Sequence, residues 1–236
     1  MKLEVPSRGL ARAWQAAQIA ASNDDARPML CRSALVEVFW GHGLRLVSTD
    51  TYILVRAWVS LDPEGGYLEP PVDEEPDETF IVADPDHRGL GLLKYIHSLY
   101  RKELDETAVP MVTITKCRAV PDDQGVFEGL ESEALHIDWP EHEEVILPIL
   151  EGDFPVWRHL VDDERTEATD TISFTPRTLG AVAKLGELYK GRSIDWTLNG
   201  DTGVIRFEVG PLSGLLMPAR PDQVVTPDQA EVAEPR

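Results

Sequence analysis

Cysteine, basic charge and long apolar runs are all scarce in this 236-residue chain. The two cysteines, Cys31 and Cys117, stand far apart and outside any CxxC, which excludes a disulfide scaffold and a zinc ribbon. No apolar run approaches the roughly 18 residues that a membrane span requires. The opening stretch, MKLEVPSRGLARAW, holds no apolar segment of the kind a secretory signal needs, so a cytoplasmic location is the expectation. Lys and Arg number 22 against 42 Asp and Glu, a formal net charge of −20. As a sum, that charge argues against nucleic-acid binding, which wants a basic patch. GxSxG and GxxxxGK[ST] are absent, and Gly89-Leu90-Gly91 lacks the third glycine of a dinucleotide fingerprint. Nucleophilic, nucleotide-triphosphate and dinucleotide chemistry therefore have no support in the sequence.

What is present fits a globular protein. Hydrophobic residues make up 42% and charged residues 27%. A chain of this length buries roughly 70% of its unfolded surface and folds without disulfides or metals. Residues 2–5 read as a strand, and Ser7 as the cap of a helix running to Ser22, with Leu10, Ala13, Trp14, Ala17 and Ala21 at helical spacing. Strands follow at 29–40, 44–49 and 52–61, the first two joined through Gly41-His42-Gly43. Residues 62–78 are rich in proline, glycine and acid and read as an exposed loop. The pattern restarts with a strand at 80–83, a helix from Asp84-Pro85 to about Glu106 with Leu90, Leu93, Ile96, Leu99 and Tyr100 on one face, and strands at 110–120, 134–139 and 145–150. Residues 151–163 read as a turn and a crossing segment. A third start brings a strand at 170–174, then a helix with Pro176 at its first position, which turns Leu179, Val182, Leu185 and Leu188 inward and ends at Gly191. Strands at 193–198, 203–209 and 214–217 close this unit. The fold class is thus α+β, a strand–helix–antiparallel-strand unit repeated three times. The expected divisions are 1–165 (two units), 166–220 (the third) and a disordered tail at 221–236.

The basic residues are not spread evenly. The helices 7–22, 86–102 and 176–192 hold ten Lys and Arg against two acids, Asp86 and Glu187. The ten are Arg8, Arg12, Arg88, Lys94, Arg101, Lys102, Arg177, Lys184, Lys190 and Arg192. Gathered on one surface, these helices form a positive field on an otherwise acidic molecule, which suits a polyanion such as duplex DNA. The plainer alternative is a set of solvated helix faces.

Other constellations are weaker. His136, Asp138, Glu141, His142, Glu143 and Glu144 match no metal-ligand spacing, and a proline interrupts them, so an acidic hairpin is the better reading. Asp122-Asp123 and Asp162-Asp163 read as surface loops. No catalytic constellation emerges, so no enzyme, metal or cofactor is expected. Leu215, Met217 and Pro218 end the last strand, and an adaptable Met beside a Pro suits a groove that accepts peptides, although a plain strand ending has the same residues.

Several segments resemble the bacterial DNA polymerase sliding clamp, the β-clamp family. GLRLVSTDTYILVRA is similar to the strand pair carrying the family's ATDxxRL motif, EGDFPVWRHLV to GxFPxYxxxxP, and GPLSGLLMPAR to the terminal MPxR. The resemblance implies a reduced, phage-like clamp: a homo-oligomeric ring with basic helices facing double-stranded DNA and an outer wall of antiparallel sheet. It implies no catalysis, and partners that are a DNA polymerase and a clamp loader bound through short peptides. Carried over by position, Thr49, Tyr52 and Leu54, with Leu215, Met217, Pro218 and Arg220, match the family's peptide pocket. Here Thr51 stands for the usual Gly, and Tyr52-Ile53 for His-Arg, which puts peptide preference in question. Family rings contain twelve half-domain repeats; three per chain implies a tetramer, or a trimer if the repeat count is wrong. A clamp-like module that binds such peptides without forming a ring is the alternative.

Overall fold

A computed structural model describes residues 1–22, 24, 26–62, 69–70, 73–84, 88–103, 110–119, 132–139, 144–161, 172–189, 192–200 and 203–219, apart from the side chains of 88, 97–103, 118–119 and 132. Strand β1 (Lys2–Pro6) leads into helix α1 (Ser7–Ala20), and a 3-10 turn (Met29–Arg32) precedes β2 (Ala34–Phe39), β3 (Gly43–Thr49) and β4 (Ile53–Ser60). Strand β5 (Glu78–Val82) precedes α2 (Arg88–Glu103), then β6 (Met111–Ala119), β7 (Ser132–Asp138) and β8 (Val145–Leu150). A single turn, α3 (Arg158–Val161), is followed by α4 (Pro176–Leu188), β9 (Asp195–Thr197), β10 (Ile205–Val209) and β11 (Leu212–Leu216).

The eleven strands among the described residues join one antiparallel sheet in the order β1-β6-β7-β8-β5-β2-β3-β4-β11-β10-β9. The first two helix-entering strands are exchanged. β1 enters α1 but pairs with β6, Val5 opposite Val112, whereas β5 enters α2 but pairs with β2, Phe80 opposite Val36.

Strand alternation sorts the core. Val36 and Val38, Leu44 and Leu46, and Val55 and Ala57 turn to one face, where they pack with Leu10 and Trp14 of α1, Leu93 and Ile96 of α2, and Val182 and Leu185 of α4. Leu35, Val47, Leu54, Ile81 and Leu215 turn to the other face under Trp157. β2 and β3 are buried along their whole length because both faces are covered. Asp84 ties two helices together. Its buried carboxylate accepts the Trp14 Nε1–H and Gln18 Nε2–H of α1, both at 3.0 Å, and the Gly89 and Leu90 N–H groups at the start of α2 at 3.2 Å.

Several expectations need correction. Ser7 is the first helical residue rather than the cap, and its buried Oγ has no hydrogen-bond partner among the described residues; its N–H donates to the Pro110 carbonyl. The expected strand over 29–40 starts as a 3-10 turn, because Pro28 precedes it and the Ser33 hydroxyl donates back to the Met29 carbonyl at 2.7 Å. Leu179 is 46% exposed rather than inward, since the α4 stripe that meets the core runs through Thr178, Val182 and Leu185. The strand expected at 170–174 is not formed over its described part, 172–174. Pro176 does sit in the first turn of α4, capped by the Thr175 side chain, which accepts the Thr178 N–H at 3.3 Å. Leu99, Tyr100, Gly191, Asp122-Asp123, Asp162-Asp163 and the tail 221–236 lie outside the described side chains or residues, as do 63–68 and 71–72 of the acidic loop.

Candidate nucleic-acid and peptide interfaces

Helix α1 buries its alanine-rich side and leaves Arg8, Arg12, Gln15, Gln18 and Ile19 as a stripe between α2 and α4. Along this stripe the three helices enclose an open groove of about 720 Å3. Lys94 of α2 and Arg177 and Lys184 of α4 line it from opposite sides, with Gln15 and Gln18 on its floor. Lys94 and Lys184 are exposed. Arg177 is exposed as well, but its Nη2 meets the Asp50 carboxylate at 3.1 Å, so part of its charge is already answered. Asp50 is the one acid in the groove lining among the described residues.

Arg8 is exposed on the first turn of α1, and Arg12, one turn on, lies over the Tyr189 ring at 5.6 Å. Arg192 is exposed just beyond α4. Arg88, Arg101 and Lys102 belong to α2, but their side chains lie outside the described residues, as does Lys190. The structure therefore brings Lys94, Arg177 and Lys184 to one groove and sets Arg8 and Arg12 on the α1 stripe beside it.

The opposite face of the sheet is built differently. Leu54 and Leu215 lie opposite each other in the β4–β11 ladder and are buried against Trp157. Gly214 permits this approach: a Cβ there would overlap the Phe207 ring and come within 2.5 Å of the Leu54 carbonyl oxygen. Beyond the buried pair, exposed Tyr52 and Met217 are joined by a bond from the Met217 N–H to the Tyr52 carbonyl at 2.9 Å. Thr49 is buried and donates its hydroxyl to the Ile53 carbonyl at 2.8 Å. Pro218 follows, half-buried; Arg220 lies outside the described residues. Of the pocket residues expected from sequence, the structure thus gathers Thr49, Tyr52, Leu54, Leu215, Met217 and Pro218 at one end of the β4–β11 seam.

Three arginines on this face are held by ion pairs or by Trp157, and two of them, Arg45 and Arg56, are buried. Arg45 is fully buried and donates to Glu37 and Glu69, both at 3.0 Å, and to the Pro70 carbonyl at 2.9 Å. Arg158 also bridges to Glu37. Arg56 donates to the Ser213 hydroxyl and lies over the Trp157 ring at 5.6 Å. Desolvation by burial lowers its pKa, and its buried Nη1 has no partner among the described residues.

Sequence reasoning missed Asp50 and Trp157 as organising residues. Asp50 accepts the Tyr52 and Ile53 N–H groups at 2.9 Å through Oδ1 while Oδ2 holds Arg177, so it links the turn between β3 and β4 to α4. An Asp opening a short turn between two strands was the available signal. Thr51, in the same turn, has φ +80°, a conformation that suits glycine and strains a β-branched residue. In the His136 cluster the imidazole meets the Glu144 carboxylate at 3.2 Å, while Glu141, His142 and Glu143 lie outside the described residues; no group of three metal-ligating side chains occurs among the described residues. Among those residues, too, no helix is long and apolar enough to cross a membrane.

No protein-family model matches the chain. No curated protein matches it in sequence. Solved structures do. A putative DNA polymerase III beta subunit from Eubacterium rectale superposes with TM-score 0.60 at 10% identity, over 94% of this chain and 66% of that one. A DNA sliding clamp from Pseudomonas aeruginosa, bound to griselimycin, gives 0.60 at 11% identity, over 93% and 65%. The beta subunit from Thermotoga maritima gives 0.58 at 12%, over 99% and 67%. This chain therefore carries the sliding-clamp fold, α+β with a long antiparallel sheet, and spans about two thirds of those chains' length.

Proposed function

We propose that this protein is a subunit of a DNA sliding clamp, a non-catalytic processivity factor that encircles duplex DNA as a homo-oligomer. The observation that carries this reading is the groove between α1, α2 and α4, where Lys94, Arg177 and Lys184 converge although the chain bears a net charge of −20. A concave, locally positive wall on an acidic molecule concentrates attraction for phosphate at one surface and repels DNA from the rest. Exposed Lys and Arg tips, with Gln15 and Gln18 between them, make sequence-independent contacts to the backbone, which permit sliding. The face of the sheet away from the helices is covered in part by Trp157, and its β4–β11 end is left for protein partners. There, Tyr52 and Met217 offer exposed apolar contacts above the Leu54–Leu215 pair, a site for short peptides of a polymerase and a clamp loader.

The test is polymerase stimulation on circular primed DNA with the matching polymerase and loader. Lys94→Glu with Lys184→Glu is expected to abolish stimulation while the melting temperature stays put. Undiminished stimulation by that variant contradicts the role. The alternative, a clamp-like peptide-binding module that forms no ring, is favoured only by peptide binding at Met217 without any stimulation by the unaltered chain.

A further inference from the structure

The three cations of the groove between α1, α2 and α4 are not equivalent. Lys94 and Lys184 hold exposed ammonium groups there, whereas Arg177, also exposed, reaches back to Asp50. The two partners of that ion pair differ sharply. The Arg177 side chain is 68% exposed and that of Asp50 is 8%.

The turn between β3 and β4 explains the difference. The Asp50 carboxylate accepts the Tyr52 and Ile53 N–H groups through Oδ1, each at 2.9 Å, and the Asp50 N–H donates to the Ile53 carbonyl at 3.2 Å. Thr51 keeps its φ of +80° while its N–H donates to the Thr49 hydroxyl at 3.0 Å. These bonds fix the carboxylate where Oδ2 faces the groove. Arg177, by contrast, is the second residue of α4 and carries its guanidinium on a long side chain in solvent. An ion pair with one partner in water is weak, so the guanidinium exchanges partners readily.

A duplex phosphate entering the groove is a second anion for the same guanidinium. The fork has donors enough for both, but a carboxylate and a phosphate held on one guanidinium repel each other. Arg177 therefore turns to the phosphate at the expense of Asp50.

We propose that Asp50 is an internal counter-ion that competes with duplex phosphate for Arg177 and so holds the grip on DNA below what the three cations supply together. The proposal rests on the groove being the DNA surface and adds a residue that the DNA reading does not need. The wall then has two permanent cations, Lys94 and Lys184, and one conditional cation. A weakened grip of this kind suits a protein that moves along the duplex.

The experiment uses the full chain and a short fluorescein-labelled duplex of mixed sequence, with anisotropy read at several NaCl concentrations. Asp50→Asn keeps an oxygen for the two turn N–H groups and removes the charge, so the circular dichroism spectrum should not change. Binding is expected to tighten about two- to fivefold, and the plot of log affinity against log salt to steepen by about one. Arg177→Gln, at an exposed position, should weaken binding, and adding Asp50→Asn to it should give less than half of the gain seen with Arg177 present. An equal gain with and without Arg177 means that Asp50 acts only through the general field of the groove, and overturns the proposal. An unchanged affinity of folded Asp50→Asn does the same. The carboxylate carbon resonance of Asp50 in the unaltered chain gives an independent measurement. It should shift as duplex is added, because its cation leaves; a resonance that stays put with duplex bound contradicts the exchange. No duplex binding by any form rejects the DNA reading together with this proposal, whereas binding without an Asp50 effect rejects this proposal alone.

Discussion

The two faces of the sheet use the same residue types in opposite ways. On the helix side, Lys94 and Lys184 hold their charges in solvent at the rim of a groove. On the outer side, Arg45 and Arg56 are buried, and Arg45 is consumed by Glu37, Glu69 and a backbone carbonyl. The first arrangement is available to a polyanion that arrives from solution; the second is internal cement beneath Trp157. Composition cannot tell them apart. Position on a helix or on a strand covered on both faces can.

Substitutions on the two faces are expected to act on different properties of the protein. Glu37→Gln leaves Arg45 and Arg158 short of their carboxylate, and the loss is expected to be about 3–5 kcal/mol in chemical denaturation, with the salt dependence of DNA binding unaltered. Lys94→Glu with Lys184→Glu should do the reverse: binding is lost and stability changes by less than about 0.5 kcal/mol, as for ordinary surface positions. A helix-face variant that unfolds, or a Glu37 variant that folds normally but cannot bind DNA, would erase the distinction.

Between these extremes lies the seam at β4 and β11. Tyr52→Ala with Met217→Ala removes exposed apolar area and should weaken capture of a polymerase-derived peptide by about tenfold, roughly 1.4 kcal/mol, measured by fluorescence anisotropy. In the same turn, Thr51→Gly should raise stability by about 1 kcal/mol, because glycine takes the +80° φ without strain. If unfolding midpoints show no gain, the turn is not strained.

The smallest effect concerns Cys117. Burial, and then the nearby Glu144, push its thiol pKa up. Less thiolate is then present in the folded chain than in the unfolded one near pH 8.5, the ordinary thiol midpoint. Alkylation of Cys117 at about that pH should be slower in buffer than in denaturant; equal rates would show an accessible, ordinary thiol. Because the folded chain keeps this proton more tightly, the group's contribution to stability is whole below the ordinary range and fades as pH rises through the shifted value.

Much of this was legible in the sequence, for physical reasons. Leu90, Leu93 and Ile96 recur at helical spacing and are buried; Pro176 marks a helix start because its missing N–H costs nothing there. The three-motif match placed Leu54 near Leu215, and the register sets them directly opposite. What stayed hidden depends on partners distant in the chain. Nothing local says that β1 will leave its own unit for β6, that Arg56 will be buried, or that Asp84 will gather Trp14, Gln18 and the start of α2. Leu179 misled because its apolar character matched an inward stripe while the helix was rotated to present Val182 and Leu185 instead.

Averaged electron micrographs of the purified full chain test the central claim most directly. The account predicts a closed annulus whose channel admits duplex DNA, with α1, α2 and α4 on the channel wall and the sheet outside. Assembled particles without a channel, or with the Lys94–Lys184 groove turned to the outer rim, would contradict it.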